Sequence, residues 1–357
     1  MGPRTIEIGK RVILKRGLPS HLVLFVTNRC EMSCQHCFLV ENGELNNTSR
    51  RGLELEDIKK LASSVPKLLA LSVTGGEPFL RKDLPEIIQA FAKSNYLKSV
   101  AIVSNGYQPS RIIPTVKRLL KENDVEIFLS ISLDGESRTH NKIRGKSDGY
   151  SKAFLTLVEL SKLSKSNRQL SVGVNSTYTG DNYHSIYKLY QELKCLNLDY
   201  VTLNLIRGAT WDSVPDNIDI SEYKDLVERK EKLLGKQTND KAFFNSLIAA
   251  KEKLKTRIIS NTIIQNTSVT QCYAGSLFGV IKDNGDIFAC EQLPTSLGNL
   301  ATVNYDLSQL WFSQTAEGER KAIANRECHC TYECVSSCNI FFNVNNYPAL
   351  LRELFWL

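Results

Sequence analysis

The sequence has no apolar run long enough to cross a membrane. Its longest apolar stretches have the length of a strand, whereas a membrane-spanning helix needs about 18 to 20 apolar residues. The first thirty residues lack the uninterrupted apolar segment of a signal peptide, and Ile6 stands where a myristoylation signal has Ser or Thr. We therefore expect a cytoplasmic protein with no membrane span.

The sequence also shows no internal repeat, no low-complexity tract and no strong charge of one sign. Hydrophobic residues make up 42% and charged residues 23% of 357 residues, which excludes a disordered or collagen-like chain. The net charge of +7 is spread over the whole chain, and its basic-rich stretch at 224–255 also carries many acidic residues. This mixture predicts a solvated helix face and no nucleic-acid surface.

Cysteine is too sparse for a disulfide scaffold, because 10 residues in 357 fall well below the roughly 8 to 10% of such proteins. Without a signal peptide, the thiols are predicted to be metal ligands or catalytic groups. They form two groups, and Cys195 stands alone. The first group is Cys30, Cys34 and Cys37; the second is Cys272, Cys290, Cys328, Cys330, Cys334 and Cys338. Two separate sites are therefore expected.

Residues 20–206 alternate short β-rich apolar runs with helical patterns, which predicts βα units around a parallel sheet. The predicted strands are 22–27, 69–74, 99–104, 127–132, 170–175 and 200–205, and the predicted helices are 54–64, 83–93, 109–122, 150–164 and 181–193. Beyond about residue 210 we expect a long charged helical stretch over roughly 221–260, then a hairpin over 280–288 that turns at Asn284-Gly285. Active residues are expected at the carboxyl ends of the parallel strands.

Three thiols follow the first predicted strand in the spacing Cys-x3-Cys-x2-Cys. Thiolates are soft ligands that suit iron–sulfur clusters or zinc. Three of them on a four-iron cluster would leave one iron open to bind a small molecule. From the spacing alone, a zinc site completed by His36 and a set of unligated cysteines remain alternatives.

With Phe38 directly after the third cysteine, this loop resembles the cysteine motif of the radical S-adenosylmethionine (radical SAM) enzymes. Thr74-Gly75-Gly76-Glu77-Pro78 resembles that family's GGEP motif, whose Glu and backbone receive the methionyl amino group. The resemblance implies further cofactor contacts at later strand ends and at an Arg that meets the cofactor carboxylate. These residues are Ser104, Asn105, Ser132, Asp134, Arg144, Asn175 and Arg207.

The second cysteine group resembles the SPASM and twitch extensions, which carry auxiliary iron–sulfur clusters beside a radical SAM barrel. Cys272 and Cys290 frame the pattern C-x12-G-x4-C, but the later spacing is shorter than in a full SPASM domain. The resemblance implies one complete auxiliary cluster on Cys272, Cys290 and two of Cys328, Cys330 and Cys334. A second cluster and a structural zinc remain alternatives. Cys195 and Cys338 are expected to be buried thiols without a ligand role.

The fold implied is α/β, a partial (β/α)6 TIM-like barrel with a C-terminal cysteine-rich SPASM/twitch-like domain. Its expected parts are an N-terminal extension (1–20), the barrel (21–210), a helical linker (211–264), the auxiliary cluster domain (265–345) and a C-terminal tail (346–357).

The function implied is hydrogen abstraction by a 5′-deoxyadenosyl radical made from S-adenosylmethionine at a [4Fe-4S] cluster. At least one auxiliary [4Fe-4S] cluster would assist net oxidation, and flavodoxin or ferredoxin would supply electrons. Maturation of a ribosomally made peptide is favoured, with a separate peptide-recognition protein as an open option. The alternatives are oxidation or rearrangement of a sugar, lipid or other small metabolite, and a non-catalytic zinc-binding scaffold.

Overall fold

A computed structural model describes residues 10, 14, 17–49, 51–94, 96–206, 218–234, 242–325 and 331–355. Within them, nine strands form one sheet in the order β6-β5-β4-β3-β2-β1-β7-β8-β9. The strands are β1 (His21–Thr27), β2 (Ala70–Gly75), β3 (Ser99–Ser104), β4 (Glu126–Ser132), β5 (Leu170–Tyr178), β6 (Tyr200–Leu205), β7 (Phe278–Ile281), β8 (Asp286–Phe288) and β9 (Ser296–Asn299).

Helices alternate with the first six strands and then fill the second half of the chain. They are α1 (Phe38–Glu41), α2 (Leu55–Ser64), α3 (Leu84–Ser94), α4 (Pro109–Glu122), α5 (Ser137–Arg144), α6 (Gly149–Ser166), α7 (Tyr183–Leu193), α8 (Ile220–Leu234), α9 (Ala242–Gln265), α10 (Leu307–Trp311), α11 (Gln314–Ala324), α12 (Glu333–Phe342) and α13 (Tyr347–Phe355). No helix among the described residues is long and apolar enough to cross a bilayer.

The predicted α/β fold with six parallel strands is confirmed. Strands β1 to β6 pair in parallel and in sequence order, and their bounds fall within one residue of the prediction except that β5 continues to Tyr178. Because parallel strands end at one edge, Thr27, Gly75, Ser104 and Ser132 lie along the same side of the sheet. Loops that follow these residues therefore meet at that side.

Strand β1 lies inside the sheet, because β2 pairs with one side of it and β7 with the other. Its residues Leu22 to Val26 are all buried, which is why the strand is a continuous apolar run and not an alternating one. The pairing with β7 is parallel, and β7, β8 and β9 then pair in antiparallel order. The C-terminal hairpin is thus a direct extension of the sheet.

The hairpin differs from the predicted tight turn at Asn284-Gly285. The amide of Lys282 donates to the carbonyl of Asp286, and the amide of Gly285 donates back to the carbonyl of Lys282. Three residues therefore form the loop, and Gly285 takes a positive φ of 89° at its end. This is the geometry of a type I turn followed by a left-handed residue, which a glycine adopts without strain.

The predicted helical stretch over 221–260 falls on α8, which ends at Leu234, and on α9, which begins at Ala242; residues 235–241 lie outside the described part of the chain. Helix α13 lies within the predicted tail, and Leu350 packs with Ala250 and Leu254 of α9 and Ile340 of α12. The predicted domain boundary near residue 210 lies outside the described residues.

Candidate metal and cofactor site

The loop after β1, residues 28–37, carries the first three thiols; it is called the cluster loop below. Cys34 is buried, and Cys30 and Cys37 are half-buried. Burial, with smaller contributions from the charges of Glu31, Glu77 and Cys34, raises the pKa of Cys30 to about 12. Burial also raises the pKa of Cys34, to which the charge of Cys37 adds. The three thiols are therefore close enough to oppose one another's ionisation, and they need a bound cation to stay as thiolates.

The donor set of the cluster loop is three thiols, none of which forms a disulfide. Thiolates are soft ligands that suit iron–sulfur clusters and zinc alike. Three cysteines on a four-iron cluster would leave one iron open, whereas zinc would need a fourth ligand such as His36. The residues present therefore fit a four-iron cluster with one open iron.

Asn46 holds the backbone of Cys30 from a neighbouring turn. Its side-chain oxygen accepts from the Cys30 amide at 2.9 Å, and its side-chain nitrogen donates to the Cys30 carbonyl at 3.0 Å. Asn46 itself has a left-handed backbone with φ of 56°, and its own amide donates to the Asn28 carbonyl. Sequence reasoning missed this residue, because 16 positions separate it from Cys30 and no motif marks it.

The GGE segment lies directly against the cluster loop. The amide of Gly76 donates to the Thr27 carbonyl, and the amide of Glu77 donates to the Arg29 carbonyl, both at 2.7 Å. A Cβ on Gly75 would lie 2.2 Å from the Thr27 oxygen, and one on Gly76 would lie 2.1 Å from the Arg29 oxygen. Both positions therefore require glycine, and the backbone that they approach is the protein's own loop.

The carboxylate of Glu77 is turned into the protein and is 2% exposed. One oxygen accepts from the Phe79 amide and the Ser104 hydroxyl, at 3.1 and 2.9 Å, and the other accepts from the Asn105 amide at 2.7 Å. Burial raises its pKa to about 7, although these hydrogen bonds act in the opposite direction. In the described structure Glu77 thus joins the end of β2 to the end of β3.

Asn105 extends from the end of β3 toward the cluster loop. Its side-chain nitrogen lies 3.7 Å from the sulfur of Cys30, and its side-chain oxygen accepts from the Tyr107 amide. On the next strand of the sheet, Ser132 of β4 is in register with Asn175 of β5. The oxygen of Asn175 accepts from the Thr202 hydroxyl of β6 at 3.0 Å. Asn105, Ser132 and Asn175 thus lie on or directly after neighbouring strands of the sheet, as the sequence predicted. Arg207 lies outside the described residues.

Asp134 and Arg144 form a buried ion pair beside Cys34. The Nε of Arg144 lies 2.7 Å from an Asp134 oxygen, and another guanidinium nitrogen lies 3.6 Å from the Cys34 sulfur. The charge of Arg144 lowers the pKa of Asp134 to about 2 against the opposing effect of burial. The nearest imidazole nitrogen of His36 is 4.0 Å from the same carboxylate.

Phe38, which follows the third thiol, packs edge-on against Phe25 of β1 with ring centroids 6.1 Å apart. The ammonium of Lys282, at the end of β7, lies 4.6 Å from the Phe25 ring centre and 5.2 Å from that of Phe38. It also forms an ion pair with Glu44 at 3.2 Å. A residue of the C-terminal hairpin thus contacts the aromatic residue of the cysteine motif.

Three cysteines of the second group have described side chains, and two of them are neighbours. Burial raises the pKa of Cys338, and the charge of nearby Cys272 adds to the effect. The amide of Tyr273 donates to the side chain of Asn339 at 2.8 Å, which holds the Cys272 segment against α12. The Gly275 amide bonds to the carbonyl of Ala289, next to buried Cys290.

Four cysteines remain, and the structure describes the side chain of one of them. Cys195 is exposed and donates to the Glu192 carbonyl at the end of α7, so the expectation of a buried thiol is wrong. It sits just beyond the last turn of a surface helix. Cys328 and Cys330 lie outside the described residues, and Cys334 is placed only by its backbone in α12.

A cavity of about 700 Å³ opens beside the cluster loop. Arg29, Cys30 and Glu31 line one side of it, and Arg81 and Asp283 are among the residues on the other. Pockets of this size accommodate a small molecule or a short peptide segment. The cavity therefore provides space for a ligand within contact distance of a proposed metal ligand.

Comparison with known proteins identifies the first half of the fold. Residues 24–193 match the model of the Radical SAM superfamily. Among curated proteins, the antilisterial bacteriocin subtilosin biosynthesis protein AlbA of Bacillus subtilis is 25% identical over 311 residues, which are 83% of this chain and 62% of AlbA. The Fe-coproporphyrin III synthase of Methanosarcina barkeri is 27% identical over 230 residues, which are 59% of this chain and 53% of that protein. The chain thus spans less than two thirds of the length of either relative.

Solved structures share the fold at low sequence identity. Streptococcus suis SuiB bound to its precursor peptide SuiA superposes with a TM-score of 0.62 at 18% identity, covering 89% of this chain and 70% of SuiB. The enzyme anSMEcpe with bound AdoMet and the Kp18Cys peptide gives 0.59 at 16% identity, covering 95% of this chain and all of that one.

The close packing of α5 on the cluster loop yields a first prediction. Gly145 ends α5 with φ of 67°, and a Cβ there would lie 2.6 Å from the Ser33 hydroxyl; Gly43 has φ of 64° and no neighbour within 4 Å. Both Gly→Ala variants should lose about 1 to 2 kcal/mol of unfolding free energy to left-handed backbone strain, measured by urea denaturation. Only Gly145→Ala should also bind less iron after anaerobic reconstitution, because it displaces Ser33 between two thiols. Equal iron contents in the two variants would contradict this packing argument.

Proposed function

We propose that this chain holds a [4Fe-4S] cluster on Cys30, Cys34 and Cys37 and uses it with S-adenosylmethionine to remove a hydrogen atom from a substrate, which the match of residues 24–193 to the Radical SAM superfamily supports. The observation that carries the proposal is the cluster loop itself. Its three thiols share one loop at the carboxyl edge of the parallel strands, where the charge of Cys34 acts on Cys30 and that of Cys37 acts on Cys34. The reducing cytoplasm is the location that suits such unoxidised thiols.

When bound, the cluster and S-adenosylmethionine supply one electron and a 5′-deoxyadenosyl radical, which takes a hydrogen atom from an unactivated carbon. The protein's own residues bind and orient. Glu77 and the glycines before it fix the cluster loop against β2 and β3, and we propose that the backbone of this segment receives the methionyl amino group. We assign the remaining cofactor contacts to Phe38 and to polar residues on or directly after β3, β4 and β5, which are Ser104, Asn105, Ser132, Asp134 and Asn175. Arg207, which lies outside the described residues, is assigned to the same set from the sequence alone.

We further propose that Cys338 is a ligand of the auxiliary cluster together with Cys272 and Cys290. Its support is the electrostatic contact between the buried Cys338 and Cys272, which the sequence spacing did not disclose. A fourth ligand would come from Cys328 or Cys330, which precede α12 in the sequence, or from Cys334, the second residue of that helix. A cluster at this position would accept the electron that remains on the substrate after hydrogen abstraction, so that the reaction is a net oxidation.

For the substrate we propose a peptide. AlbA is named as a protein of bacteriocin biosynthesis, and both SuiB and anSMEcpe have been solved with a bound peptide. The cavity of about 700 Å³ beside Cys30 is open enough for a chain segment to enter. A small metabolite remains the second candidate, favoured by the similarity to Fe-coproporphyrin III synthase over 59% of this chain.

Anaerobic purification tests the central claim. The protein should contain iron and sulfide, and with dithionite and S-adenosylmethionine it should form 5′-deoxyadenosine, detected by chromatography. Cys30→Ala should abolish this product, because one corner of the cluster loses its ligand. Cys195→Ala is the matched control, since this thiol is exposed and remote from both groups; its product yield should equal that of the wild type. A colourless protein that contains zinc and forms no product would instead support the scaffold alternative.

The auxiliary site is tested by Cys272→Ala and Cys338→Ala, again with Cys195→Ala beside them. Both site variants should lose about the same fraction of bound iron while still cleaving S-adenosylmethionine, because the first cluster is intact. Substrate conversion should stop in both. A Cys338→Ala protein with full iron content would remove this residue from the ligand set, and loss of cofactor cleavage in a folded variant would argue against an auxiliary role.

The nature of the substrate is tested with a synthetic peptide encoded beside the gene, and with the same peptide in scrambled order as the control. Incubation with the reduced enzyme and S-adenosylmethionine should remove two hydrogens from the authentic peptide only, as read by mass spectrometry. Deuterium placed at the reacting carbon should appear in 5′-deoxyadenosine. If neighbouring genes encode sugar or lipid enzymes and no peptide reacts, a small metabolite replaces the peptide as the proposed substrate.

A further inference from the structure

The guanidinium of Arg144 contacts both a carboxylate and a sulfur. Its Nε lies 2.7 Å from Asp134, and another nitrogen lies 3.6 Å from the sulfur of Cys34, within hydrogen-bonding distance for sulfur. Arg144 is 9% exposed and Asp134 is fully buried. In a low-dielectric interior such a charge acts strongly on its neighbours, so this geometry matters for any group that Cys34 binds.

Asp134 is itself immobilised by three other elements. Its free carboxylate oxygen accepts from the Thr177 amide of β5 at 3.0 Å, and its carbonyl accepts from the Asn182 side chain at 3.0 Å. Its amide donates to the Nδ1 of His140 at 3.2 Å. These hydrogen bonds fix the position of the Asp134 carboxylate, which in turn fixes the position of the Arg144 guanidinium.

The helix that carries Arg144 is attached to the cluster loop on both sides of that residue. The Ile143 carbonyl accepts from the Gln35 amide at 2.9 Å, and Gly145 lies against Ser33. The guanidinium is thus fixed relative to Cys34 by backbone contacts as well as by its ion pair. A rigid positive group beside a metal ligand is one of the ways in which proteins adjust cluster potentials.

We propose that Arg144, positioned by Asp134, sets the reduction potential of the cluster through its contact with Cys34. This rests on the proposed function, since it assumes that Cys34 is a cluster ligand. One electron from the reductant converts [4Fe-4S]²⁺ to [4Fe-4S]⁺ and adds negative charge to the cysteine sulfurs. A donor N–H and a positive charge at Cys34 stabilise the reduced form more than the oxidised form. Asp134 opposes part of this effect, so the two residues act in opposite directions.

The proposal differs from the role that the family resemblance implies for Arg144, which is to meet the carboxylate of the cofactor. With one edge of the guanidinium engaged by Asp134 and one nitrogen directed at Cys34, its strongest contacts lie within the protein. Arg144 is accordingly a positioning residue for the cluster. The two roles make different predictions for cofactor affinity and for potential, so one set of measurements decides between them.

The experiment compares reductive titrations of the full-length reconstituted protein and its Arg144→Met, Arg144→Lys and Asp134→Asn variants. Electron paramagnetic resonance follows the reduced cluster, identified as the signal that Cys30→Ala lacks. Arg118→Met is the control, because Arg118 of α4 likewise pairs with a carboxylate, that of Glu86 at 2.8 Å, and belongs neither to the cluster loop nor to the lining of the cavity. In parallel, the dissociation constant of S-adenosylmethionine is measured for each protein.

Arg144→Met should make the potential more negative, with at least a tenfold lower ratio of reduced to oxidised cluster at fixed potential, which equals 59 mV for one electron. Arg144→Lys should fall between this variant and the wild type. Asp134→Asn should make the potential less negative, and Arg118→Met should match the wild type. If the substitutions only loosened the cluster loop, the reduction potentials of Arg144→Met and Asp134→Asn would shift in the same direction.

An unchanged potential in Arg144→Met, together with at least tenfold weaker cofactor binding, would overturn the proposal in favour of a carboxylate contact. If Arg144→Met takes up no cluster, Arg144→Lys and Asp134→Asn decide, and an unchanged potential in Asp134→Asn rejects it. Failure of the proposed function is distinguishable, because the wild type itself would then lack iron or form no 5′-deoxyadenosine.

Discussion

The arrangement of the cluster loop depends on backbone hydrogen bonds that exist without any metal. The Glu77 amide bonds to the Arg29 carbonyl, the Gln35 amide bonds to the Ile143 carbonyl, and the Asn46 side chain bonds to both polar groups of Cys30. Three separate elements thereby hold one short segment. Because ordering a residue costs about 1 to 2 kcal/mol, a loop ordered in advance leaves more of the metal-binding free energy for affinity. The thiols are positioned by the fold, and a cluster would stabilise that position.

Burial determines which charged groups are stable in the site. Desolvation raises the pKa of Cys30, Cys34 and Glu77, so the protein environment alone favours neutral thiols and a carboxyl with a pKa of about 7. The fixed positive charge nearby is Arg144, and Asp134 already compensates it. Binding of iron would reverse this balance, because the metal supplies the positive charge that three thiolates need. The site is therefore electrostatically matched to a cationic inorganic group and poorly matched to a second acidic ligand.

The sequence predicted the elements and motifs that local patterns determine, and it missed the contacts between residues that are distant in the sequence. Strand and helix bounds followed from periodicity, because each element's apolar face is encoded within its own residues. The cysteine and glycine motifs were recognisable for the same reason. By contrast, the contact between Cys338 and Cys272 joins positions 66 residues apart, and no spacing encodes it. The solvent exposure of Cys195 was misjudged because residue type alone gives only the average burial of cysteine. The partners of Glu77 and Arg144 were likewise set by tertiary packing.

Strand β1 connects the two cysteine groups physically. It ends in the cluster loop, and its other neighbour is β7, whose last contact places Lys282 over Phe25 and Phe38. A cation over two aromatic faces contributes roughly 0.5 to 2 kcal/mol where it is shielded from water. Because β7 is in register with β1 over four residues, a shift of the C-terminal hairpin would have to break either this register or the lysine contact. The hairpin that carries Cys290 is thus fixed in distance and orientation to the loop that carries Cys30. Electron transfer falls off steeply with distance, so a fixed spacing of this kind is what two cooperating clusters require.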